Sequence, residues 1–464
     1  MKLLPLLCLS ALMVGCGSDQ TTPNSAAGAL TDEQLRMAAE LRDEALVSNV
    51  AWDVVEDLTT EVGARMPGTP SDAKGVEWME QRFRDLGFDK VTLEPVEYPL
   101  WERHHEVANV VAPFEQPLAI TALGGSVGTD GALVAPVVYF ATIDELQEAA
   151  DEEVEGKIVF INKRMEKTID GSGYGPVVAG RSGGAKVAGA KGAVAVLIRS
   201  VGTDSDRFAH TGMMRYDDDI PKIPAAALSN PDADQVERLL QRGALTVSMD
   251  ISAGFTGTYT GHNVIAEVTG SRWPDEIIVI GGHLDSWDLG TGALDDGAGV
   301  AVTTAAAHRL LADDARPGRT IRVVAFANEE QGLIGAYQYA AAHEDEIEQH
   351  FLGSESDFGA GRVWRYDTNV SDALLPSFEQ IFPILEPLGI ERGGLTSGGG
   401  PDIIPLQQLG VPVVRLSQDG TDYFDYHHTA NDTLDKIDPE ALNQNVAAWI
   451  TLVYLASHIP AEAD

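Results

Sequence analysis

A regular alternation of apolar runs and helix-length segments between residues 262 and 458 constrains the fold more than any other feature of the chain. The runs at 277–280 and 320–326 are short and rich in β-branched residues, as buried strands are. Parallel strands need crossover connections, which are usually helices. The alternation therefore predicts an α/β fold, with a mostly parallel mixed sheet that has helices on both faces. The predicted strands are 263–268, 277–280, 320–326, one near 350 and 411–416, and the predicted helices are 298–312, 332–343, 371–388 and 439–458.

The preceding part of the chain predicts further elements. Residues 31–60 carry helical periodicity, and 65–70 read as a turn. A second amphipathic helix is predicted over 71–86, because Gly87 stands where a helix commonly ends. A strand is predicted at 91–99.

Residues 112–258 have a different texture. A Gly/Ala-rich helix around 183–191 and several proline turns alternate with short strands, and we find no carboxylate–histidine constellation there. We interpret this stretch as an inserted β-rich α/β domain between an N-terminal part, 31–111, and the main domain, 259–464. The predicted strands of the insert are 137–140, 157–161 and 193–197.

The composition restricts the partners. The chain has 464 residues and a formal net charge of −39 at pH 7. Nucleic acid and anionic membrane surfaces would repel such a protein, so the charge argues against both as partners. The alternative is that the acidity serves only solubility. A neutral or small charged substrate remains compatible with this charge.

The first sixteen residues are typical of an export signal: Lys2, an apolar run, and small residues before Cys16. The run is too short to span a membrane as a mature helix. The pattern resembles a bacterial lipoprotein signal with a lipid on Cys16, although Met13 stands where Leu is usual. The alternative is an ordinary cleaved signal. Residues 17–30 then form a polar tether, and the protein is either lipid-anchored in the cell envelope (outer membrane or periplasm) or secreted.

Cysteine usage limits the chemistry of any metal site. The sequence contains Cys8, inside the signal, and Cys16, at its end, and no others. A mature domain without cysteine has no disulfide and no thiolate ligand. Any metal must therefore be held by His, Asp and Glu, which favours an open catalytic site over a zinc-finger-like structural one.

The stretch 281–299, GGHLDSWDLGTGALDDGAG, follows the predicted strand 277–280. In open α/β sheets, ligands bind beyond the carboxyl ends of the strands. His283 and Asp285 are two residues apart, so on an extended segment they point to the same side. His283 can bind a metal while Asp285 orients its other ring nitrogen. The adjacent acids Asp295 and Asp296 are either metal ligands or a cap of the following helix.

Further acids and histidines follow later strands. Glu329 and Glu330 come directly after 320–326, where one can bind a metal while the other acts as general base. Their alternative role is a capping pair at a helix start. Asp357 follows a short apolar stretch, and His428 lies in a loop before the last helix, where it would otherwise be a surface histidine. Since each alternative would have to recur independently at successive strand ends, the set predicts a metal site.

The motifs GHLDSWD, GALDDGAG, NEEQG, SESD and HHTANDT, in this order over 260–464, resemble the M28 peptidases, the co-catalytic zinc aminopeptidase and carboxypeptidase group. Residues 183–200, followed by His210-Thr211-Gly212, resemble the protease-associated (PA) insert of that family. The SWD after HLD and the doubled histidine are similar to the carboxypeptidase Q branch, whose members cleave dipeptides.

The resemblance implies a zinc exopeptidase fold, a dipeptide or short-peptide substrate, two Zn²⁺ per chain and a homodimer. It implies that Asp295 bridges the two ions, with Glu330 and His428 on one and His283 and Asp357 on the other. Glu329 would be the general base and Asp285 would orient His283. Asp432 would support His428 or cap the final helix, and the Asp295–Asp296 peptide bond would be cis.

Several points stay open from the sequence. Tyr423 and Tyr426 are both candidates for the oxyanion donor, and the loop 396–401 is a candidate pocket wall. The candidates for reading a free substrate terminus are Asp402, Arg392 and Arg415. Two other functions are alternatives: glutaminyl-cyclase-like or other non-peptide amide chemistry on the same fold, and a non-catalytic binding protein, in which the metal ligands are commonly degraded.

Overall fold

The computed structural model of the protein describes residues 30–460. The predicted signal at 1–16 and, apart from Leu30, the predicted tether lie outside the described residues. Within 30–460, no helix combines the length and the apolar character needed to cross a membrane.

The described strands are β1 Lys90–Ala112, β2 Gln116–Leu118, β3 Ile120–Ala122, β4 Leu133–Phe140, β5 Ile158–Ile161, β6 Ala195–Arg199, β7 Ala225–Leu228, β8 Thr246–Val268, β9 Trp273–His283, β10 Arg319–Phe326, β11 His350–Glu355, β12 Val363–Asn369, β13 Glu391–Arg392 and β14 Val413–Gln418. The α-helices are α1 Asp32–Ala45, α2 Val50–Asp57, α3 Pro70–Asp85, α4 Ile143–Glu148, α5 Asp151–Val154, α6 Gly175–Ala190, α7 Asn230–Leu240, α8 Ala298–Arg309, α9 Ile334–Ala342, α10 Leu375–Phe378, α11 Phe382–Leu385, α12 Ile404–Gln408, α13 Tyr423–Tyr426 and α14 Pro439–His458.

The strands form a mixed sheet in the order β13-β12-β14-β11-β9-β10-β8-β4-β5-β6-β7-β3, with β1 paired along β8. The central strands β14, β11, β9 and β10 are mutually parallel, and β8 and β12 run antiparallel to their neighbours β10 and β14. In the insert, β4, β5, β6 and β7 are also parallel. The predicted mixed, mostly parallel α/β sheet is confirmed.

Helices cover both faces of the central sheet. Ile278 and Ile280 of β9 belong to an apolar core that includes α1, α2, α8 and α14. Ile277 and Val279, which point to the other face, belong to a second core with α9 and α12. This alternation is the expected side-chain period of a strand buried on both sides.

A two-stranded ribbon joins the main part of the molecule to the insert. β1 and β8 pair antiparallel from Lys90 opposite Glu267 to Ala112 opposite Thr246. One end of β8 pairs with β10, and its other end pairs with β4. The strand predicted at 91–99 is therefore too short, because prolines within β1 and glycines within β8 weaken the sequence signal for a strand. Both predicted domain boundaries, 111/112 and 258/259, fall within this ribbon.

Two predicted helices are wrong as continuous elements. The helix over 31–60 is broken at 46–49, where the Ser48 hydroxyl accepts a hydrogen bond from Val50 N–H. The predicted helix 371–388 consists of α10, α11 and a 3₁₀ turn, Glu386–Leu388, and each of these begins with a proline in its first turn. Proline lacks an N–H and clashes with the preceding turn, so the segment cannot form one helix.

Strand β12 was not predicted, because its sequence VWRYDTN lacks an apolar run. It is nevertheless largely buried beside β14. Arg365 donates to Asp367 at 2.6 Å within the strand, so the two charges partly compensate each other. Burial of paired charges is tolerated where burial of isolated ones is not.

The last helix tests how strongly the core depends on large side chains. Trp449 of α14 is fully buried, so Trp449→Ala should lower the free energy of unfolding by about 3–5 kcal/mol through lost burial and a cavity. Urea denaturation followed by circular dichroism measures this. Tyr337→Ala, at an exposed position of α9, is the control and should change stability by less than about 0.5 kcal/mol. Equal effects of the two variants would contradict the described packing.

Candidate metal centre

The site begins at the carboxyl ends of three adjacent parallel strands. His283 is the last residue of β9 and lies beside Phe326, the last residue of β10. Glu329 and Glu330 follow β10 by three and four residues, and Asp357 follows β11 by two. Because parallel strands end at the same edge of the sheet, these side chains meet there.

Asp295 lies at the middle of the cluster. Its Oδ1 lies 3.1 Å from His283 Nε2, and its Oδ2 lies 3.2 Å from His428 Nε2. Asp357 Oδ1 lies 3.8 Å from the same His283 nitrogen, and Glu330 Oε2 lies 3.0 Å from the same His428 nitrogen. The structure thus brings together all five residues predicted as metal ligands, in two histidine–carboxylate groups that share Asp295.

These residues have the properties of a cation site. Asp295 Oδ2 and Glu330 Oε1 are buried and accept no hydrogen bond from any described residue. A buried carboxylate oxygen without a partner costs several kcal/mol unless a cation compensates it. The candidate ligand atoms of His283, Asp295 and Glu330 lie within 4.8 Å of one another. Imidazole nitrogens with carboxylate oxygens suit a divalent metal such as zinc.

The electrostatics of the cluster also indicate a need for positive charge. Burial raises the pKa of Asp357 to about 6 and that of Glu329 well above its ordinary value, and neighbouring carboxylates contribute to both shifts. Burial alone would lower the pKa of His428, but Glu330 and Asp295 outweigh burial and raise it to about 9. Without a bound cation, the excess of buried negative charge therefore keeps protons on these side chains at higher pH than in an unfolded chain.

Asp285 was predicted to orient His283 through its carboxylate, and the geometry differs. His283 Nδ1–H donates to the main-chain carbonyl of Asp285 at 2.9 Å, whereas the Asp285 carboxylate is 3.8 Å from that nitrogen. The carboxylate instead accepts hydrogen bonds from the main-chain N–H groups of Glu329, at 3.1 Å, and Glu330, at 3.3 Å. Asp285 thus ties the loop after β9 to the loop after β10.

The two adjacent acids have different environments. Asp295 faces the histidines, whereas the Asp296 carboxylate accepts hydrogen bonds from His283 N–H and Gly299 N–H, both at 3.1 Å. Asp296 therefore accepts a hydrogen bond from the first turn of α8, which agrees with the capping role that was one of the two alternatives for this pair. A Cβ at Gly282 or Gly299 would collide with this carboxylate, which explains the glycines. The Asp295–Asp296 peptide bond is cis, as the family resemblance implied.

Asp432 holds the same loop from the opposite side. Its carboxylate accepts hydrogen bonds from Leu294 N–H, at 2.6 Å, and Asp295 N–H, at 3.2 Å. The prediction that it caps the final helix is wrong, since Asp438 caps α14. No hydrogen bond from Asp432 to His428 is found among the described residues.

Sequence reasoning missed Arg65, which we assigned only to a turn. Its guanidinium is fully buried and donates to the main-chain carbonyls of Leu284, Thr291 and Gly292. These residues belong to the loop between His283 and Asp295, so Arg65 fixes the path of that loop. Nothing in the sequence near Arg65 indicates this role, because its partners lie more than 200 residues away.

The insert also contacts the centre. The Thr211 carbonyl lies 3.2 Å from His428 Nδ1, and Thr211 N–H donates to the His428 carbonyl at 3.1 Å. His210 lies between the His427 carbonyl and Asp204, at 2.7 Å from each. The statement that 112–258 holds no carboxylate–histidine constellation is therefore wrong. The Asp204–His210 pair was missed although it lies in the loop after β6.

His427 lies directly against His428, with ring centroids 3.5 Å apart. Its Nε2 is 3.6 Å from Asp295 Oδ2, which is farther than His428. Burial and the neighbouring His428 hold the pKa of His427 well below its usual value, so its ring is neutral. Of the doubled histidine, His428 thus contacts both carboxylates, and His427 forms part of the wall.

A cavity of about 710 Å³ opens onto these residues. It is lined by residues of the insert together with the site residues Asp295, Glu329, Glu330, Asp357 and the two histidines. Gly398, Gly400 and Pro401 of the predicted pocket loop also line it. Tyr423 and Arg415 line this cavity, whereas Tyr426 lines a separate one. Arg392 is bound to Glu379 instead, and Asp402 is buried beside Glu355.

Comparison with known proteins agrees with this site. Residues 263–453 match the sequence profile of peptidase family M28, and residues 129–236 match that of the PA domain. Carboxypeptidase Q from Mus musculus is 36% identical over 411 residues, covering 88% of this chain and 86% of that protein. Carboxypeptidase Q from Homo sapiens is 35% identical, covering 88% and 85%.

Solved structures show the same relationship. The crystal structure of a peptidase M28 precursor from Shewanella amazonensis SB2B has a TM-score of 0.91 and 48% identity, covering 93% of this chain and 98% of that one. A zinc aminopeptidase from Bacillus subtilis, with a TM-score of 0.65 and 21% identity over 88% of this chain and 94% of that one, shares the fold. The protein is a metallopeptidase-type hydrolase. It belongs to peptidase family M28 and carries a PA domain.

The retained protons predict a pH dependence of stability. Burial raises the pKa of Asp285 and of Asp432 to about 7, and His428 titrates near 9. The folded state then binds more protons than the unfolded state, so the stability of metal-free protein should fall as the pH rises from about 6 to about 8. Because Zn²⁺ competes with these protons, saturating Zn²⁺ should flatten or reverse that slope.

Thermal unfolding in EDTA and in Zn²⁺, at several pH values, measures both slopes. Repulsion from the net charge of −39 acts in both series, so the difference between the slopes reports the centre. Mg²⁺ at matched ionic strength is the control. Parallel slopes in EDTA and Zn²⁺ would contradict the cation site.

Proposed function

We propose that this protein is a co-catalytic di-zinc exopeptidase that hydrolyses dipeptides or short peptides. The observation that carries the proposal is the position of Asp295 between two histidine–carboxylate groups, with Glu329 beside them on the cavity wall. Similarity to carboxypeptidase Q supports a peptide substrate.

The chain offers a ligand set for two ions. Glu330 and His428 would hold one, His283 and Asp357 would hold the other, and Asp295 would be shared. We favour zinc, because its usual ligands include imidazole and carboxylate. When bound, a pair of such ions lowers the pKa of a water molecule and polarises a substrate carbonyl.

Glu329 is the proposed general base. Its carboxylate faces the cavity outside both histidine–carboxylate groups, and its raised pKa suits a group that accepts and releases a proton near neutral pH. It would take the proton of the attacking water and return it to the leaving amine. The Asp285 carboxylate, which accepts the Glu329 N–H, holds it in position.

For the oxyanion, Tyr423 is better placed than Tyr426, because Tyr423 lines the cavity that holds the metal ligands. Because of this position, Tyr423 is our proposed donor to the developing negative charge. The neighbouring His427 is neutral and buried in the same wall.

The remaining predictions are proposals as well. We propose that 112–258 is an insert within the peptidase domain, which agrees with the PA match at 129–236. We propose export by the N-terminal signal, with a lipid anchor at Cys16 as the route to the cell envelope and secretion as the alternative. The similarity to carboxypeptidase Q is the basis for proposing a homodimer.

Substitution of the proposed base tests the mechanism. Glu329→Gln should lower kcat by about 10²–10⁴, because it removes the proton acceptor. It should leave the zinc content unchanged, because Glu329 belongs to neither ligand group. The control is the adjacent Glu330→Gln, which should weaken zinc binding measured against a chelator. A Glu329→Gln enzyme with near wild-type kcat, or one that loses zinc as Glu330→Gln does, would refute the assigned roles.

A substrate mixture tests the specificity. Zinc-loaded protein lacking residues 1–16 should cleave free dipeptides faster than N-blocked dipeptides, C-amidated dipeptides or longer peptides, as read by product masses. Stepwise trimming of longer peptides would instead indicate a general aminopeptidase. No cleavage of any peptide would favour non-peptide amide chemistry or a binding role.

A further inference from the structure

One arginine in the cavity has unused hydrogen-bonding capacity. Arg181 lies on α6 of the insert and is 7% exposed. Its Nη2 bonds the Tyr174 hydroxyl, but its Nε and Nη1 have no hydrogen-bond partner among residues 30–460. Leaving buried N–H groups unpaired is costly, and native proteins rarely do so without a functional reason. Both atoms are covered by neighbouring groups, but Arg181 lines the cavity, so a small rotation of its side chain would bring them to a ligand there.

The guanidinium lies close to the metal centre. Gly212, at φ +134°, separates it from His428: a Cβ at that position would fall 2.6 Å from Arg181 Cζ and 2.8 Å from His428 Nδ1. Tyr174, the partner of Arg181, packs edge-on against His427 with ring centroids 5.8 Å apart. Arg181 therefore stands on the part of the cavity wall that adjoins the ligand His428.

Arg181 also differs from the other buried arginines. Arg199 and Arg319 each contact a carboxylate, and Arg65 donates to main-chain carbonyls of the metal loop. Arg181 has no carboxylate within ion-pair distance among the described residues. Glu329 and Glu330 line the same cavity without forming an ion pair with Arg181. The positive charge is thus available to a negatively charged group that enters.

We propose that Arg181 binds the C-terminal carboxylate of the peptide substrate. The inference rests on the proposed exopeptidase function. Nη1 is unpartnered among the described residues and Nη2 has a second N–H beyond the one that bonds Tyr174, and the guanidinium edge that these two nitrogens form matches a carboxylate in a bidentate arrangement. In a dipeptide, the carboxylate is bonded to the Cα of the residue directly after the scissile bond, and this Cα lies about 3.8 Å from the preceding one. The Arg181 guanidinium, next to the proposed metal ligands, can reach the C-terminal carboxylate of a dipeptide. The C-terminal carboxylate of a longer peptide would lie farther from it.

The insert would then set the length of the substrate. The peptidase part supplies the hydrolytic groups, and α6 supplies the group that recognises where the peptide ends. Sequence reasoning named Asp402, Arg392 and Arg415 for this purpose and missed Arg181. Arg181 lies in a Gly/Ala-rich helix more than 100 residues before the first metal motif, so nothing in the sequence links it to the site.

Kinetics with matched substrates test the proposal. The wild-type kcat/KM for Ala-Ala should exceed that for Ala-Ala amide by roughly tenfold to a hundredfold, as expected for a charge-assisted hydrogen-bonded pair. Arg181→Met should lower kcat/KM for Ala-Ala by a similar factor and change that for the amide little, so the preference disappears. Arg181→Lys, which keeps the charge but not the planar fork, should restore part of it.

The control is Arg215→Met. Arg215 also lines the cavity and lies within the insert, but it is exposed, so its loss should change the preference by less than about fivefold. Thermal unfolding of each variant checks that it folds. A loss of equal size on both substrates in Arg181→Met, or a loss of preference in Arg215→Met instead, would overturn the proposal.

A binding measurement separates this proposal from the proposed function. An Ala-Ala analogue with CH₂–NH in place of the scissile amide, with a free or amidated C-terminus, is titrated calorimetrically into zinc-loaded and EDTA-treated protein. Wild type should prefer the free carboxylate and Arg181→Met should not. If wild type cleaves no peptide, the exopeptidase proposal fails, and this preference still decides whether Arg181 reads a carboxylate. Equal binding of both analogues to wild type would overturn the proposal.

Discussion

The concentration of buried carboxylates at the carboxyl edge of β9 and β10 is the constraint on which the rest of the site depends. Like charges in a low-dielectric interior repel one another and lose hydration. The fold compensates with main-chain N–H groups: Asp285 receives two from the loop after β10, Asp296 two from β9 and α8, and Asp432 two from the loop that holds Asp295. Each of these three carboxylates thus ties two segments together. Among the proposed ligands, Asp295 and Glu330 each have one buried oxygen without a hydrogen bond from any described residue.

The insert is part of this arrangement. The ribbon of β1 and β8 continues from β10 into the insert, so the two parts share one sheet. From the insert, Thr211 exchanges hydrogen bonds with His428, and His210 Nδ1 contacts the main-chain carbonyl of His427. His428 has a φ of +61°, which is unfavourable for a residue with a side chain, and these contacts hold it there. The insert therefore supports a proposed metal ligand, and Arg181 of the insert lines the cavity.

The fold could be predicted in outline from the sequence, and the failures have physical causes. The segment 371–388 was predicted as one helix from its apolar content. Its prolines break it into three short turns, because each proline inside a continuous helix would remove a hydrogen bond. β12 was missed because Arg365 and Asp367 compensate each other in space, which periodicity does not show. The long ribbon was underestimated because prolines and glycines weaken strand signals, although β1 and β8 pair with each other along almost their whole length.

The sequence by itself determined the α/β class and the residues that meet at the metal centre, because strand ends in a parallel sheet converge at one edge and the acids and histidines follow those ends directly. It also provided both alternatives for the Asp295–Asp296 pair, as ligand and as cap. Only the tertiary structure showed that Asp295 contacts the two histidines and that Asp296 accepts main-chain N–H groups. It also showed that Asp285 holds the Glu329 loop and that Arg65, Thr211 and Arg181 lie at the site. These contacts join segments that are far apart in the chain, and no local spacing or periodicity encodes a contact between distant segments.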